Sequence, residues 1–128
     1  MRLLLDSHTL IWAVDDPAKL SPAAVAALQD PANDILLSAA TVWEISIKVG
    51  LGKLTLNSAY RVWMNAAIGA LGLGILPVTV EYADAQSQLP HHHRDPFDRL
   101  LAAQALTEKM PLASADAIFD RYGVTRIW

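Results

Sequence analysis

The chain has 128 residues, 53% hydrophobic and 18% charged, a balance that supports a globule with a real core and argues against disorder. It has no cysteine, so disulfide frameworks, thiolate zinc sites and cysteine nucleophiles are excluded. The formal net charge of −3 lacks the basic excess usual in nucleic-acid binders.

In chain order, Arg2 to Leu5 predicts a short strand, apolar after the arginine as expected where both faces are covered. That apolar run stops at Asp6, far short of a signal-peptide core. A helix follows from about Thr9 to Val14 and ends at Asp15-Asp16-Pro17, because proline disfavours helical geometry in the residue before it. Ser21-Pro22 opens a second helix reaching Leu28, with serine as cap and proline at the first helical position. Ile35 to Leu37 is the second strand. A third helix begins near Ser38 or Thr41 and ends at Gly50 or Gly52. Another helix spans about Ser58 to Ala70, and Leu73 to Leu76 is the third strand. A helix from about Val80 to Leu89 then leads to His91-His92-His93. The weakly polar stretch Ala66 to Val80 is too short, and too broken by glycine and proline, to suggest a membrane span. A protein of the cytoplasm, with no membrane partner, is therefore expected.

The clearest helix start is Asp95 as cap, Pro96 at the first position, and Phe97, Leu100, Leu101 and Ala105 on one apolar stripe. Leu112 to Ser114 is a fourth strand, Asp116 to Tyr122 a short helix, and Thr125 to Trp128 a final strand candidate. This alternation predicts one α/β domain over residues 1–128. The expected fold is a three-layer α/β/α sandwich with a central parallel sheet of four to five strands.

Four carboxylates, Asp6, Glu44, Asp98 and Asp116, fall where an apolar run gives way to a helix start. Each has a structural explanation when taken alone. Asp6 and Asp116 suit N-caps. Glu44 completes a capping box with Thr41 and stands four residues before Lys48, the favourable order for a helical ion pair. Asp95 and Asp98 resemble a capping arrangement as well. As a set they point elsewhere. A parallel sheet gathers such positions outside the carboxyl ends of its strands, where ligands bind. Val42, Trp43, Ile45, Ile47 and Val49 surround Glu44, so its helix reads as apolar almost all round and hence buried. A buried carboxylate must be paired, neutralised or bound to metal. Clustered acids repel one another, and magnesium or manganese, which take carboxylate and water oxygens, relieve that repulsion. Such ions activate water against a phosphodiester without any serine or histidine. Setting those four acids aside takes the formal charge from −3 to +1, so net charge does not exclude a phosphate substrate.

Asp6-Ser7-His8-Thr9, then Ser38-Ala39-Ala40-Thr41-Val42-Trp43-Glu44, then the run from His93-Arg94-Asp95-Pro96-Phe97-Asp98-Arg99 to Ala105 closely resemble the PIN-domain nucleases. More narrowly, they resemble the toxin ribonucleases of bacterial VapBC-type toxin–antitoxin pairs. The likeness runs in order along nearly the whole chain. Asp95 to Arg99 and Trp43 to Lys48 are its most specific parts. It implies an α/β/α sandwich and a Mg²⁺- or Mn²⁺-dependent endoribonuclease, the toxin of a type II pair, that hydrolyses RNA phosphodiester bonds with metal-activated water. A cognate antitoxin and a homodimer are the implied protein partners. By motif, Asp6, Glu44 and Asp98 would be the metal ligands, with Asp116 as the fourth acid. Ser114-Ala115-Asp116 departs from the family's usual threonine, longer polar residue and aspartate, and the alanine removes an RNA contact.

Ser7, Ser114, Lys48, Arg94 and Arg99 are the expected substrate-binding residues, with Lys53 a further candidate, since cations supply most nucleic-acid affinity. Asp95 is assigned to helix capping. His91, His92 and His93 are expected to be solvated loop residues, one of them near the pocket, because three consecutive residues do not readily aim at one ion. Trp12, Trp43 and Trp63 read as core or interface residues rather than base-stacking platforms, and Trp128 as an interface residue. Two rival readings share these residues. One is a catalytically weak nucleic-acid- or antitoxin-binding module in a repressor complex, and the other a metal-dependent DNase.

Overall fold

Three leucines in a row make β1 (Arg2–Leu5) apolar on both faces, and all three are fully buried. The computed structural model, which describes residues 1–128, places this strand at the centre of a five-stranded sheet. Its partners are β2 (Asp34–Ser38), β3 (Gly74–Leu76), β4 (Leu112–Ala113) and β5 (Arg126–Ile127), in the order β3-β2-β1-β4-β5 with every pairing parallel.

Side chains alternate across a strand, and each face of the sheet carries its own apolar cluster. Leu3 and Leu5 pack with Leu10 and Ile11 of α1 (Ser7–Asp15), Ile45 of α3 (Ala39–Gly50), and Trp63 and Met64 of α4 (Tyr60–Leu71). The partly buried Ala27 and Leu28 of α2 (Pro22–Gln29) extend that layer. Leu4 faces the other way, against Tyr82 of α5 (Val80–Ser87), Leu101 and Ala105 of α6 (Pro96–Glu108), and Phe119 of a 3₁₀ helix at Ala117–Tyr122. The result is three layers, helices on both sides of a parallel sheet, as expected from the alternation of elements.

The order of strands decides where a ligand can sit. From β1 the chain steps outward to β2 and β3, then returns to lay β4 on the opposite flank of β1. Loops therefore part between β1 and β4, and the crevice outside the carboxyl ends of strands at such a switch point is where open α/β sheets bind ligands. Leu5 pairs with Ala113 there, and the Asp6 amide donates to the Ala113 carbonyl at 3.1 Å. Thr9 adds a hydroxyl bond to the same carbonyl at 2.8 Å.

Some boundaries and burials differ from expectation. Helix α1 starts at Ser7 rather than Thr9, because Asp6 caps it by accepting the Ser7 amide. The third helix starts after Ser38, whose hydroxyl accepts from the Ala40 amide, so the capping box expected of Thr41 and Glu44 does not form. Thr41 is instead buried inside the helix, and Glu44 lies in its second turn. Nor is α3 apolar and buried all round. Its buried stripe is Ala40, Thr41, Glu44 and Ile45, whereas Trp43 is 64% exposed. Only Trp63 joins the core, with its indole N–H donating to Asp15 at 2.8 Å.

Candidate metal centre

Asp6, Glu44, Asp98 and Asp116 line one cleft of about 320 Å³ at the switch point, together with Ser7, His8, Trp12, Lys48 and Asp95. Asp6 directly follows β1, and Asp116 follows β4 by three residues. Glu44 comes from the helix after β2, and Asp98 from the first turn of α6. Residues up to 110 positions apart thus share one hollow because strand ends converge there, and each acid reaches it by a different local device.

Asp6 is held at both oxygens. The Ser7 amide donates to Oδ1 at 2.7 Å, and the buried Ser114 hydroxyl donates to Oδ2 at 2.7 Å. Glu44 is only 1% exposed, with Lys48 Nζ on its Oε2 at 2.7 Å. Its Oε1 is buried without a hydrogen-bond partner. Burial works to lower the Lys48 ammonium, but the hydrogen bond to Glu44 and the charges of Glu44, Asp95 and Asp98 outweigh it and hold it above its ordinary value. Asp116 is half exposed and caps the 3₁₀ helix, its Oδ1 accepting from the Ile118 amide at 3.0 Å.

Asp98 carries the greatest strain of charge. Its carboxyl is pushed up to about 8 from an ordinary 3.8, first by loss of water on burial, then by Asp6, Asp95, Glu44 and Asp116 around it. Asp95 itself serves as the α6 cap, accepting from the Phe97 amide at 2.8 Å and the Asp98 amide at 3.4 Å.

The residues fit a hard divalent cation. Their contribution is carboxylate oxygen throughout, the ligand type magnesium and manganese prefer. The unpartnered Glu44 Oε1 is an acceptor that the protein leaves unsatisfied, at a cost expected of any buried polar atom without a partner. A dication among these acids would offset both the burial and the mutual repulsion that push the Asp98 carboxyl up.

Among the expected substrate contacts, Ser7 and Lys48 border the cleft, and Lys53 stands beside them on its shoulder with His8. Ser114 is completely buried and its hydroxyl braces Asp6, so it is not placed to touch a substrate. Arg99 corrects a second expectation. It is 5% exposed, and its guanidinium donates to the carbonyls of Gln86, Leu89 and Pro90 and to the Tyr122 hydroxyl at 2.9–3.3 Å. All four terminal N–H donors are engaged in clamping the histidine loop, and the burial of the side chain keeps it from phosphate. Arg94 is exposed but lies outside the cleft lining. Trp12, read from sequence as core or interface, is half-buried at the cleft wall, packed between His8 and Trp128 with both ring pairs tilted.

His93 is the site residue that sequence reasoning underrated. Its Nε2 lies 2.9 Å from Asp98 Oδ2 and 4.0 Å from Asp116 Oδ2, while His92 packs edge-on against Tyr122 and His91 is exposed. Nothing in three adjacent histidines marks the third. The usable signal was its position, two residues before the cap of the helix that carries Asp98.

The PIN domain family profile matches residues 3–124 of the chain. No curated protein matches it. Among solved structures, VapBC2 from Rickettsia felis, bound to a DNA fragment from its promoter, shares the fold with a TM-score of 0.75 at 16% identity. That match covers 98% of this chain and 97% of the other. FitAB bound to an IR36 DNA fragment matches at TM-score 0.63 and 24% identity, covering 97% and 92% of the two chains. FitAcB from Neisseria gonorrhoeae gives the same score and identity, covering 97% and 95%.

Proposed function

Because the chain belongs to the PIN domain family, we propose that it is a Mg²⁺- or Mn²⁺-dependent endoribonuclease, the toxin of a type II toxin–antitoxin pair. The observation that carries this reading is the convergence of Asp6, Glu44, Asp98 and Asp116 on one cleft, with the Glu44 Oε1 buried and unpartnered. Those four acids would hold the metal, which would supply an activated water and neutralisation of the charge on the phosphate.

The chain's own groups do the rest. The Ser7 amide and Ser114 hydroxyl fix Asp6, so that it enters the site already oriented. Lys48 holds Glu44 in place through an ammonium, and Lys48 and Lys53 form a cationic shoulder along which a phosphate backbone can lie. Trp12 and Ala115 are the apolar residues of an otherwise polar cleft lining. Single-stranded RNA is the proposed substrate, since a base-paired duplex offers no flexible strand to enter so small a hollow.

The similar solved structures are VapBC and FitAB assemblies with DNA, which supports a cognate antitoxin as the protein partner here. A second copy of the chain and a cytoplasmic location complete the reading. No helix is long and apolar enough to cross a membrane.

The direct test is cleavage of single-stranded RNA and DNA, at equal salt, by metal-stripped protein with and without added Mn²⁺. RNA cleavage should appear only with the cation, and Asp98→Asn should lower it by about 10³-fold or more, the scale expected when a central electrostatic group is lost. Full activity in chelator would refute the metal role, and preferential DNA cleavage the substrate assignment.

A further inference from the structure

Asp95 places its backbone amide 3.0 Å from His93 Nδ1. An amide N–H can only donate, so Nδ1 must present a lone pair. The single proton of the neutral ring therefore sits on Nε2, which points at Asp98 Oδ2 from 2.9 Å. A nitrogen carrying a proton aimed at a carboxylate has no lone pair to offer a cation. Although His93, Asp98 and Asp116 bring ligand-type atoms within 4.8 Å of one another, the imidazole is a donor to the acids and not a fellow ligand.

The ring is held firmly in that orientation. Its backbone amide donates to the Tyr122 hydroxyl at 2.9 Å, and Tyr122 is in turn engaged by Arg99 at 3.3 Å. Arg99 also gathers the Gln86, Leu89 and Pro90 carbonyls, which fixes the approach of the loop to α6. A buried guanidinium thus sets a loop, the loop sets a ring, and the ring sets one carboxylate oxygen.

We infer that His93 is a positioning residue of the metal centre, which occupies Oδ2 of Asp98 and leaves Oδ1 alone to bind the cation. This rests on the metal-dependent reading above and adds a selectivity to it. A carboxylate limited to one oxygen suits a small octahedral ion such as manganese or magnesium. Calcium, with six to eight ligands and a tolerance for two-oxygen carboxylates, gains less from such a ligand. Removing the imidazole frees the second oxygen and erodes that preference.

The test is Mn²⁺ and Ca²⁺ affinity by titration calorimetry on the full chain and on His93→Ala and His93→Gln, with thermal unfolding as a check on folding. His93→Ala should lose Mn²⁺ affinity by about tenfold or more, the usual cost of removing a partner of a metal ligand, and its Mn²⁺-over-Ca²⁺ ratio should narrow. His93→Gln, which carries an N–H at similar reach, should recover much of both. Pulsed EPR on the unaltered Mn²⁺-loaded protein needs no variant and should show no directly coordinated nitrogen. Unchanged affinities and ratio in His93→Ala, or an imidazole nitrogen bound to Mn²⁺, would overturn the inference while leaving the nuclease reading intact. A histidine-dependent Mn²⁺ site in a protein that cuts no RNA would do the reverse. No Mn²⁺ binding at all would remove both.

Discussion

Asp98 and its neighbours show how a site can be assembled at the expense of the fold that carries it. In the metal-free protein its carboxyl is pushed to about 8, first by burial and then by the other acids. The folded chain thus holds a proton that the unfolded chain releases near 3.8. Stability from this group is fully present below the unfolded value and is lost as pH rises through the folded one. Thermal unfolding in chelator should therefore show a melting temperature that falls between about pH 4 and pH 8, and Mn²⁺ should restore it at the upper end. A flat profile would mean the acids are not crowded. By the same reasoning Asp98→Asn should melt higher than the parent protein without metal above about pH 4, because it removes a carboxyl whose ionisation the fold opposes.

Arg99 carries the opposite lesson, a residue read as functional whose work is structural. Arg99→Met should destabilise the protein by about 2–4 kcal/mol, since it strands buried carbonyls that the guanidinium satisfied. It should also weaken Mn²⁺ binding, although Arg99 hydrogen-bonds to none of the acids, by releasing the loop that presents His93.

At the scale of elements, caps explain both what was legible and what was not. Ser21-Pro22 and Asp95-Pro96 state their helix starts openly, and both helices begin at those prolines. Asp6, Ser38 and Asp116 were harder, because each sits at the seam between a strand and a helix and serves both. Thr41 and Glu44 had the right spacing for a capping box, but Ser38 had already taken the cap three residues earlier. A local pattern cannot tell which of two nearby hydroxyls wins; the end of the paired β2 strand at Ser38 decides it. Helix α6 closes on Lys109 in left-handed geometry, φ 52°, a conformation costing a side-chain residue about 1 kcal/mol or more. Lys109→Gly should relieve that cost, partly offset by the freedom glycine adds to the unfolded chain. A net gain of about 0.5 kcal/mol is expected, measurable by urea unfolding.

Across the whole molecule, charge distribution matters more than its sum. The formal −3 of the chain becomes +1 once the four acids are set aside, and Lys48 and Lys53 lie beside those acids. RNA should therefore bind weakly in chelator and at least tenfold more tightly with Ca²⁺ or Mn²⁺, as read by fluorescence anisotropy at fixed salt. Equal binding in both conditions would locate the RNA surface elsewhere. The alternation of strands and helices made the sheet and its layers readable from sequence, since periodicity and punctuation are local. The partners of Asp6 were not readable. Ser114 reaches Asp6 across 108 positions through strand order, and no window of sequence contains both ends of that contact; His93 lies five residues from Asp98, but its ring is aimed by a loop that Arg99 and Tyr122 hold from elsewhere in the chain.

The bond from Ser114 to Asp6 spans 108 positions, and it joins the first strand to one laid down almost last. A ribosome that has made residues 1–110 has made Asp6, Glu44 and Asp98 but neither β4 nor the hydroxyl that braces the first acid. The four acids therefore share one hollow only after β4 has paired with β1, so the order of the strands also sets the order in which the site can be assembled.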